Sequence, residues 1–235
     1  DGTFQGEVYN HDTISGGTFQ GGEVYNVRGA ISGGTFEKRM TLMNDDASIT
    51  ISDGLFKGEV STGICRFPLS ISGGLFTKAV DVSHVYNPTD LSITGGYFVS
   101  EPTVPNGSDI SFTSVSDQSG RTFQVPVNGG FSESYTSLYV PSGSSEQPNT
   151  ITVKTDTALI DCRAADADVS IMSSVVSNGG NTYEIHMRNY EKIVLVTAEP
   201  APPTPDDPGE LDPAFSSGAA ALGVVLGTAG LGYAT

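Results

Sequence analysis

The sequence predicts an all-β protein built on a right-handed parallel β-helix, a solenoid in which each turn of the chain stacks on the one before. Three observations support this. Near copies of a six-residue motif, Ile-Ser-Gly-Gly-Thr-Phe, recur along the first hundred residues. The phenylalanines of successive copies are separated by 15, 17, 20, 20 and 22 residues, a spacing typical of solenoid units. The units are rich in strand-forming residues and glycine and show no helix-period apolar pattern.

Within each unit, the motif assigns a direction to every side chain. Strand alternation points Ile inward and Ser outward, and Phe points inward again after the Gly-Gly pair. The glycines turn a corner, because glycine tolerates positive φ and has no Cβ to clash with the neighbouring turn. Stacked units should therefore form two columns of core side chains. The predicted columns are Phe4, Phe19, Phe36, Phe56, Phe76 and Phe98, and Ile14, Ile31, Ile51, Ile71 and Ile93.

Two other architectures explain part of the pattern. Antiparallel hairpins would use Gly-Gly turns, but they do not need the same side chains at every corner. A leucine-rich repeat has a similar period, but its Leu-x-x-Leu-x-Leu core pattern is missing. The pair Tyr-Asn also recurs, at Tyr9-Asn10, Tyr25-Asn26 and Tyr86-Asn87, which favours a stacked, hydrogen-bonded asparagine ladder over a ligand site.

The chain divides into four predicted segments. Residues 1–100 form the regular β-helix, and residues 101–198 form irregular rungs and a C-terminal β cap. Within the second segment, Asn128-Gly129-Gly130-Phe131 is interpreted as a degenerate copy of the corner. Residues 199–212 are a proline-rich linker, which should be stiff and extended.

The fourth segment, residues 213–235, carries no charged side chain and is predicted to be an apolar transmembrane helix. A helix of this length would span roughly 34 Å, enough for a bilayer core of about 30 Å. Gly223 and Gly227 form a GxxxG pair that lets two helices pack closely. Five glycines dilute the segment and no basic flank follows it, so a flexible tail and an oligomerisation segment remain open alternatives.

Composition restricts the partners of the chain. A net charge of -16 argues against nucleic acid binding, which needs basic surface. The low lysine content, with abundant Ser, Thr, Gly and Asn, is typical of extracellular repeat proteins. Cys65 and Cys162 lie far apart, and two buried free thiols are favoured over a disulfide. Because the chain begins inside a repeat, we expect its first residue to be the cut edge of a longer protein.

The Ile-Ser-Gly-Gly-Thr-Phe units resemble the repeats of bacterial cell-surface β-helix proteins of the pectate-lyase-like and adhesin kind. The resemblance covers residues 1–100. Enzymes of that superfamily attack acidic polysaccharides with carboxylate clusters plus Arg or Lys, and Asn44-Asp45-Asp46 is the one suggestive acidic cluster in this sequence. Adjacent carboxylates on a strand face opposite sides, so we interpret these residues as turn formers. The Gly-His-Gly and Arg-Ile-Lys motifs of the polygalacturonases are absent from the sequence.

No other residues form a convincing catalytic or metal-binding set. His11, His84 and His186 share no spacing with a nucleophile or metal partner. A recurring glutamate, at positions 7, 23 and 59, predicts an outward acidic column that is either a solvated face or a weak cation site. The sequence therefore predicts no catalytic residue, no metal and no cofactor, and it does not identify the residues that bind a ligand.

The expected function is that of a non-catalytic stalk or adhesin-like protein, which displays a binding surface outside the cell and is anchored by its C-terminal segment. Its expected partners are glycans or host and partner surface proteins, together with the membrane. A polysaccharide lyase or glycoside hydrolase on the same scaffold is the first alternative. The second is a self-assembling extracellular filament subunit, in which the first rung stacks on a neighbouring molecule.

Overall fold

A computed structural model describes residues 2–44, 46–143 and 148–201 of the chain. This part is all-β, and its helical content is two short 3-10 turns at Pro88–Asp90 and Met172–Ser174. The predicted transmembrane segment 213–235 lies outside the described residues, as does the predicted linker 199–212 beyond Ala201. Within the described part, no helix has the length and apolar character needed to cross a bilayer.

The first hundred residues form a parallel β-solenoid of about four turns, which confirms the architecture that the repeat predicts. Odd-numbered strands pair in parallel in one sheet, and even-numbered strands pair in parallel in a second. The strands are β1 (Thr3–Phe4), β2 (Val8–Asn10), β3 (Thr13–Phe19), β4 (Val24–Asn26), β5 (Gly29–Phe36), β6 (Met40–Asn44), β7 (Ile49–Phe56), β8 (Val60–Cys65), β9 (Leu69–Phe76), β10 (Val80–Asp81) and β11 (Leu91–Phe98).

The register of the first sheet stacks identical side chains on one another. The six phenylalanines of the repeats form one column, with ring centroids 4.5 to 4.9 Å apart and interplanar angles of 5° to 9°. The five isoleucines of the repeats are also in register and buried. Phe4, at the end of the column, is 44% exposed. Each fully buried ring contributes roughly 1.5–3 kcal/mol, so the stacked turns stabilise one another.

The two glycines of the corner are needed for different reasons. A Cβ on the first glycine would meet the preceding turn: at Gly73 it would lie 2.0 Å from the carbonyl oxygen of Ser52. The second glycine has positive φ in β3, β5, β7, β9 and β11, between 96° at Gly74 and 131° at Gly54. The strand continues through the pair with an irregular register, so the corner is a bend within one strand. The second position therefore requires glycine because of its backbone conformation, whereas the first is restricted by contact in turns such as that of Gly73 and is occupied by Asp53 in β7.

The second half of the chain continues the first sheet and adds new sheets. The strands are β12 (Phe112–Asp117), β13 (Phe123–Gln124), β14 (Pro126–Val127), β15 (Gly130–Phe131), β16 (Ser137–Pro141), β17 (Asn149–Thr155), β18 (Leu159–Ala164), β19 (Val169–Ser170), β20 (Val175–Gly179), β21 (Thr182–Met187) and β22 (Lys192–Thr197). Beyond β11, the first sheet runs in the order β16-β12-β22-β18-β19, while β13-β17-β21-β20 form a separate sheet and β14-β15 a hairpin.

The prediction of irregular rungs in this half needs correction. Its strands pair antiparallel, with β12–β22 as the parallel exception among the described pairs. Two-residue turns reverse the chain in two of these pairs, β14–β15 and β20–β21, and the other antiparallel pairs join strands that lie further apart in the chain. Gly180 and Asn181, both with a φ of 57°, join β20 to β21 in this way. The segment is thus a mainly antiparallel module, which we call the C-terminal module.

Each half of the described structure has its own hydrophobic core, and one cysteine lies in each. Cys65 belongs to the solenoid core and Cys162 to the core of the C-terminal module, and both are buried free thiols. Burial raises the pKa of Cys65 to about 11 and that of Cys162 to about 12. Both thiols are therefore protonated at neutral pH, so neither provides a reactive thiolate.

The predicted asparagine ladder is short. The side-chain amide of Asn10 donates to Oδ1 of Asn26 at 2.5 Å, and both residues are buried. Asn87 instead caps a 3-10 turn, where its side-chain oxygen accepts from the amide of Thr89. The repeated Tyr-Asn pair therefore has two different structural roles.

Candidate functional site

The residue type at the outward position after the second corner glycine differs between two parts of the solenoid surface. It is threonine in β1, β3 and β5, at Thr3, Thr18 and Thr35, and it is Leu55, Leu75 and Tyr97 in the next three turns. The latter three pack against the core of the C-terminal module, and Leu75 is fully buried. The residue at this position is therefore apolar where the C-terminal module packs on the solenoid, and it is threonine where the solenoid surface is open to solvent.

Tyr97 also joins the solenoid to the C-terminal module by hydrogen bonds. Its hydroxyl donates to the carbonyl oxygen of Thr152 at 3.2 Å and accepts from the amide of Thr152 at 2.9 Å. Burial raises the pKa of Tyr97 to about 12, so the phenol stays neutral and can make both bonds. The C-terminal module is therefore attached to the solenoid by paired hydrogen bonds as well as by apolar packing.

The open part of the face is a groove with a volume of about 700 Å³, which we call the corner groove. Its hydroxyls repeat from turn to turn, and those of Ser15, Thr18, Ser32 and Thr35 have no hydrogen-bond partner among the described residues. Successive turns of a parallel sheet repeat at about 4.8 Å. The groove lining is Gly2, Thr3, Ser15, Gly16, Gly17, Thr18, Ser32, Gly33, Gly34, Thr35, Asp53, Asn128 and Gly129.

One wall of the groove comes from the C-terminal module, almost a hundred residues further along the chain. Asn128 and Gly129 form the turn of the β14–β15 hairpin, with φ of 50° and 75°. The side chain of Asn128 accepts from the amide of Gly34 at 3.0 Å and donates to the carbonyl oxygen of Gly34 at 3.1 Å. The side chain of Asn128 therefore pairs with both backbone polar groups of Gly34, as the backbone of a neighbouring β-strand would.

Two further contacts hold this hairpin in place. The amide of Asn128 donates to Oδ1 of Asp53 at 3.1 Å. The ammonium group of Lys154 lies 5.1 Å from the centroid of the Phe131 ring, within cation–π range. The wall is therefore fixed to the solenoid at its tip and to strand β17 at its base.

The described lining of the corner groove contains one charged side chain. Asp53 is the charged residue in the described lining, and its Oδ1 accepts from the amides of both Gly54, at 2.7 Å, and Asn128. The carboxylate thus serves to join the corner to the hairpin. What the groove presents to solvent is hydroxyl groups and glycine backbone, a surface suited to hydrogen bonding with neutral polar molecules.

The acidic cluster that the sequence singles out has structural partners. Asn44 is fully buried, where it donates to the carbonyl oxygen of Phe67 at 2.8 Å and accepts from the Phe67 amide. Asp46 forms an exposed ion pair of 3.1 Å with Arg28, and Asp45 lies outside the described residues. Neither described side chain lines the corner groove.

The histidines lie on separate parts of the surface. His186 contacts the hydroxyl of Thr150 at 2.9 Å, and the backbone oxygen of His11 accepts from Arg28. His84 lies 3.4 Å from the hydroxyl of Ser83, which is also 2.6 Å from the carboxylate of Asp81. This set does not have the order of a nucleophile triad, because the serine proton goes to the carboxylate instead of the imidazole. The hydroxyl and amide of Ser83 lower the pKa of Asp81, as in a capped turn.

The predicted acidic column is interrupted by a cation. The backbone pairing places Arg39 between Glu23 and Glu59, since the amide of Val24 bonds to Arg39 and that of Met40 bonds to Glu59. The guanidinium of Arg39 donates to the hydroxyl of Ser61 at 3.0 Å. In the part of the chain that the structure describes, no three His, Cys, Asp or Glu side chains lie together as a metal site would require.

Comparison with known proteins identified no relative of this chain. No protein family matches the sequence, and neither curated protein sequences nor solved structures show significant similarity to the chain.

Sequence reasoning misses the hairpin wall of the groove. Asn128-Gly129 was available as a signal, because Asn-Gly between two short strands is the strongest local indicator of a two-residue hairpin turn. Its interpretation as a degenerate corner is wrong, since the two residues reverse the chain between β14 and β15. No local signal, however, identifies Gly34 as its partner.

Proposed function

We propose that this chain is a non-catalytic, adhesin-like surface protein that binds a neutral glycan chain along the corner groove. The observation that carries the proposal is the row of hydroxyls from Ser15, Thr18, Ser32 and Thr35, which face an open groove without partners among the described residues. Sugar hydroxyls are both donors and acceptors, as these side chains are. A repeating row of such groups suits a repeating ligand.

Rigidity supports the same proposal. The groove floor belongs to strands whose core side chains are stacked and buried, and its wall is held by both side-chain atoms of Asn128. A binding surface that is already ordered loses little conformational entropy when a ligand binds. The solenoid would then serve as a stiff support that holds the groove away from the cell.

The binding proposal is tested with isosteric substitutions. Thr18→Val combined with Thr35→Val removes two hydroxyls and keeps the side-chain shape, so we expect it to weaken binding about three- to tenfold per lost hydrogen bond. The assay is calorimetry with neutral oligosaccharides of cellulose, xylan, β-1,3-glucan and chitin. Thr50→Val is the matched control, because Thr50 is exposed on a neighbouring strand but does not line the groove. Equal binding by all variants, or no binding of any of these glycans by the unchanged protein, would contradict the proposal.

We also propose that residues 1–198 lie outside the cell and that residues 213–235 anchor them in the membrane. An acidic, lysine-poor repeat segment, a proline-rich spacer and an uncharged stretch of bilayer length follow one another in the sequence. Expressed with residues 213–235, the chain should fractionate with membranes and need detergent for extraction. Without them it should be soluble, and equal solubility of the two forms would rule out the anchor.

A further inference from the structure

A second concave site lies between the C-terminal module and the solenoid residues that precede and follow Phe56 and Phe76 in sequence. It has a volume of about 410 Å³, which falls within the range of small-molecule sites. None of its residues belongs to the corner groove. We call it the lysine crevice, and its lining is Leu55, Lys57, Leu75, Thr77, Lys78, Ser132, Glu133 and Tyr135.

The floor of the crevice is apolar. Leu55 and Leu75 are in-register neighbours on β7 and β9 that pack into the core of the C-terminal module, and Leu55 is the one with exposed surface, since Leu75 is fully buried. Lys57 and Thr77 follow the intervening phenylalanines, so strand alternation points them outward on the same side. The half-buried Tyr135 ring packs against the same core and forms part of the opposite wall.

The opposite wall is held in a defined position. Tyr135 and Phe123 exchange two backbone hydrogen bonds, of 2.8 and 2.9 Å. Ser132 exchanges a further pair with Val125, since its amide donates to the carbonyl oxygen at 2.8 Å and its hydroxyl accepts from the amide at 3.1 Å. The crevice is therefore shaped by ordered backbone on both sides and does not depend on a ligand to form.

The charges of the crevice differ from those of the whole protein. The chain has 27 acidic and 11 basic residues, yet two lysines and one glutamate line this site. Lys57 is paired with Glu37 at 3.0 Å. Lys78 is exposed and has no hydrogen-bond or ion-pair partner among the described residues. Glu133 lies on the opposite wall, so the Lys78 end is where an anion would be held.

We propose that the lysine crevice binds a small organic carboxylate whose apolar ring or chain lies on the partly exposed Leu55 and Tyr135 and whose carboxylate binds Lys78. The apolar floor supplies affinity through burial, and the ammonium group selects the anionic end. This site does not depend on glycan binding in the corner groove. The lysine crevice would give the surface protein a second binding specificity, for organic anions, although the protein as a whole is acidic.

The test compares a carboxylate with its neutral isostere. Phenylacetate and phenylacetamide are titrated into the ¹⁵N-labelled full chain, and amide shifts of crevice residues such as Thr77 and Ser132 report the site. We expect phenylacetate to bind at the crevice and phenylacetamide to bind at least about fivefold more weakly, because only the carboxylate carries the negative charge that forms an ion pair with the Lys78 ammonium group. Equal binding of the two compounds, shifts located elsewhere, or no binding of either would overturn the proposal.

The chain provides a matched control for the lysine. Lys38 lies two residues after Phe36, as Lys78 lies two residues after Phe76, and it is exposed but outside the crevice. Lys78→Met should weaken phenylacetate binding at least about fivefold, while Lys38→Met should leave it unchanged. Glu133→Gln should strengthen it, because a like charge is removed. Both lysines are exposed, so these variants should fold normally, and an unchanged affinity in Lys78→Met would overturn the assignment.

Discussion

Phe56→Ala is expected to lower the free energy of unfolding by about 3–5 kcal/mol, through the lost burial and the cavity left behind. The ring of Phe56 is fully buried and stacked between Phe36 and Phe76, at centroid distances of 4.9 and 4.5 Å. Neighbouring turns cannot move into the space, because hydrogen bonds hold them on both sides. Urea denaturation followed by circular dichroism measures the change.

Phe4→Ala is the matched control for this prediction. Phe4 has the same position in its turn, but it is 44% exposed and stacks on Phe19 alone. Its loss should cost about 1–2 kcal/mol, because part of the ring is already in water. If the two variants were equally stable, the phenylalanine column would not be the main source of stability.

Gly74→Val is expected to be the second most damaging of the changes considered, with a cost of about 1–3 kcal/mol from backbone strain alone. Gly74 has a φ of 96°, which a β-branched residue rarely adopts, and a Cβ there would lie 3.1 Å from the Phe56 ring and 3.2 Å from the carbonyl oxygen of Gly54. The side chain would therefore also force the two turns apart. The melting temperature, measured by differential scanning calorimetry, should fall clearly.

Gly130→Ala tests whether the effect belongs to the corner. The backbone at Gly130 is not in the positive-φ region, and the nearest atom to a new Cβ would be 3.9 Å away. This variant should melt within a few degrees of the unchanged protein. A comparable loss in both variants would mean that glycine is needed for some general reason and that the strained corner is not the cause.

The contact between the solenoid and the C-terminal module could not be predicted from the sequence and is seen only in the tertiary structure. Leu55, Leu75 and Tyr97 interrupt a column that begins with threonine, and this change was visible in the sequence. Its meaning was not, because an outward leucine on a solenoid is equally consistent with an exposed apolar residue. Only the folded chain shows that these three side chains form the boundary with a second core.

Both candidate sites depend on the same hairpin region. Asn128 closes the corner groove by binding Gly34, and Ser132 and Tyr135 complete the lysine crevice a few residues later. The hydrogen-bond partners of Asn128 are distant in sequence, with Gly34 94 positions away and Asp53 75 positions away. Such contacts produce no repeating pattern in the sequence, because each of them occurs once and not in every turn of the solenoid.

The sequence by itself determined the solenoid. A motif repeated with Ile, Gly-Gly and Phe at fixed places can bury its apolar residues only if identical units stack, so local pattern and global fold agree. The antiparallel pairing of the second half, the attachment of the C-terminal module and the two concave sites were decided by the tertiary structure. Their strands are short and unrepeated, and each surface is completed by residues distant in the chain, so the contacts that define them form only once both halves have folded together.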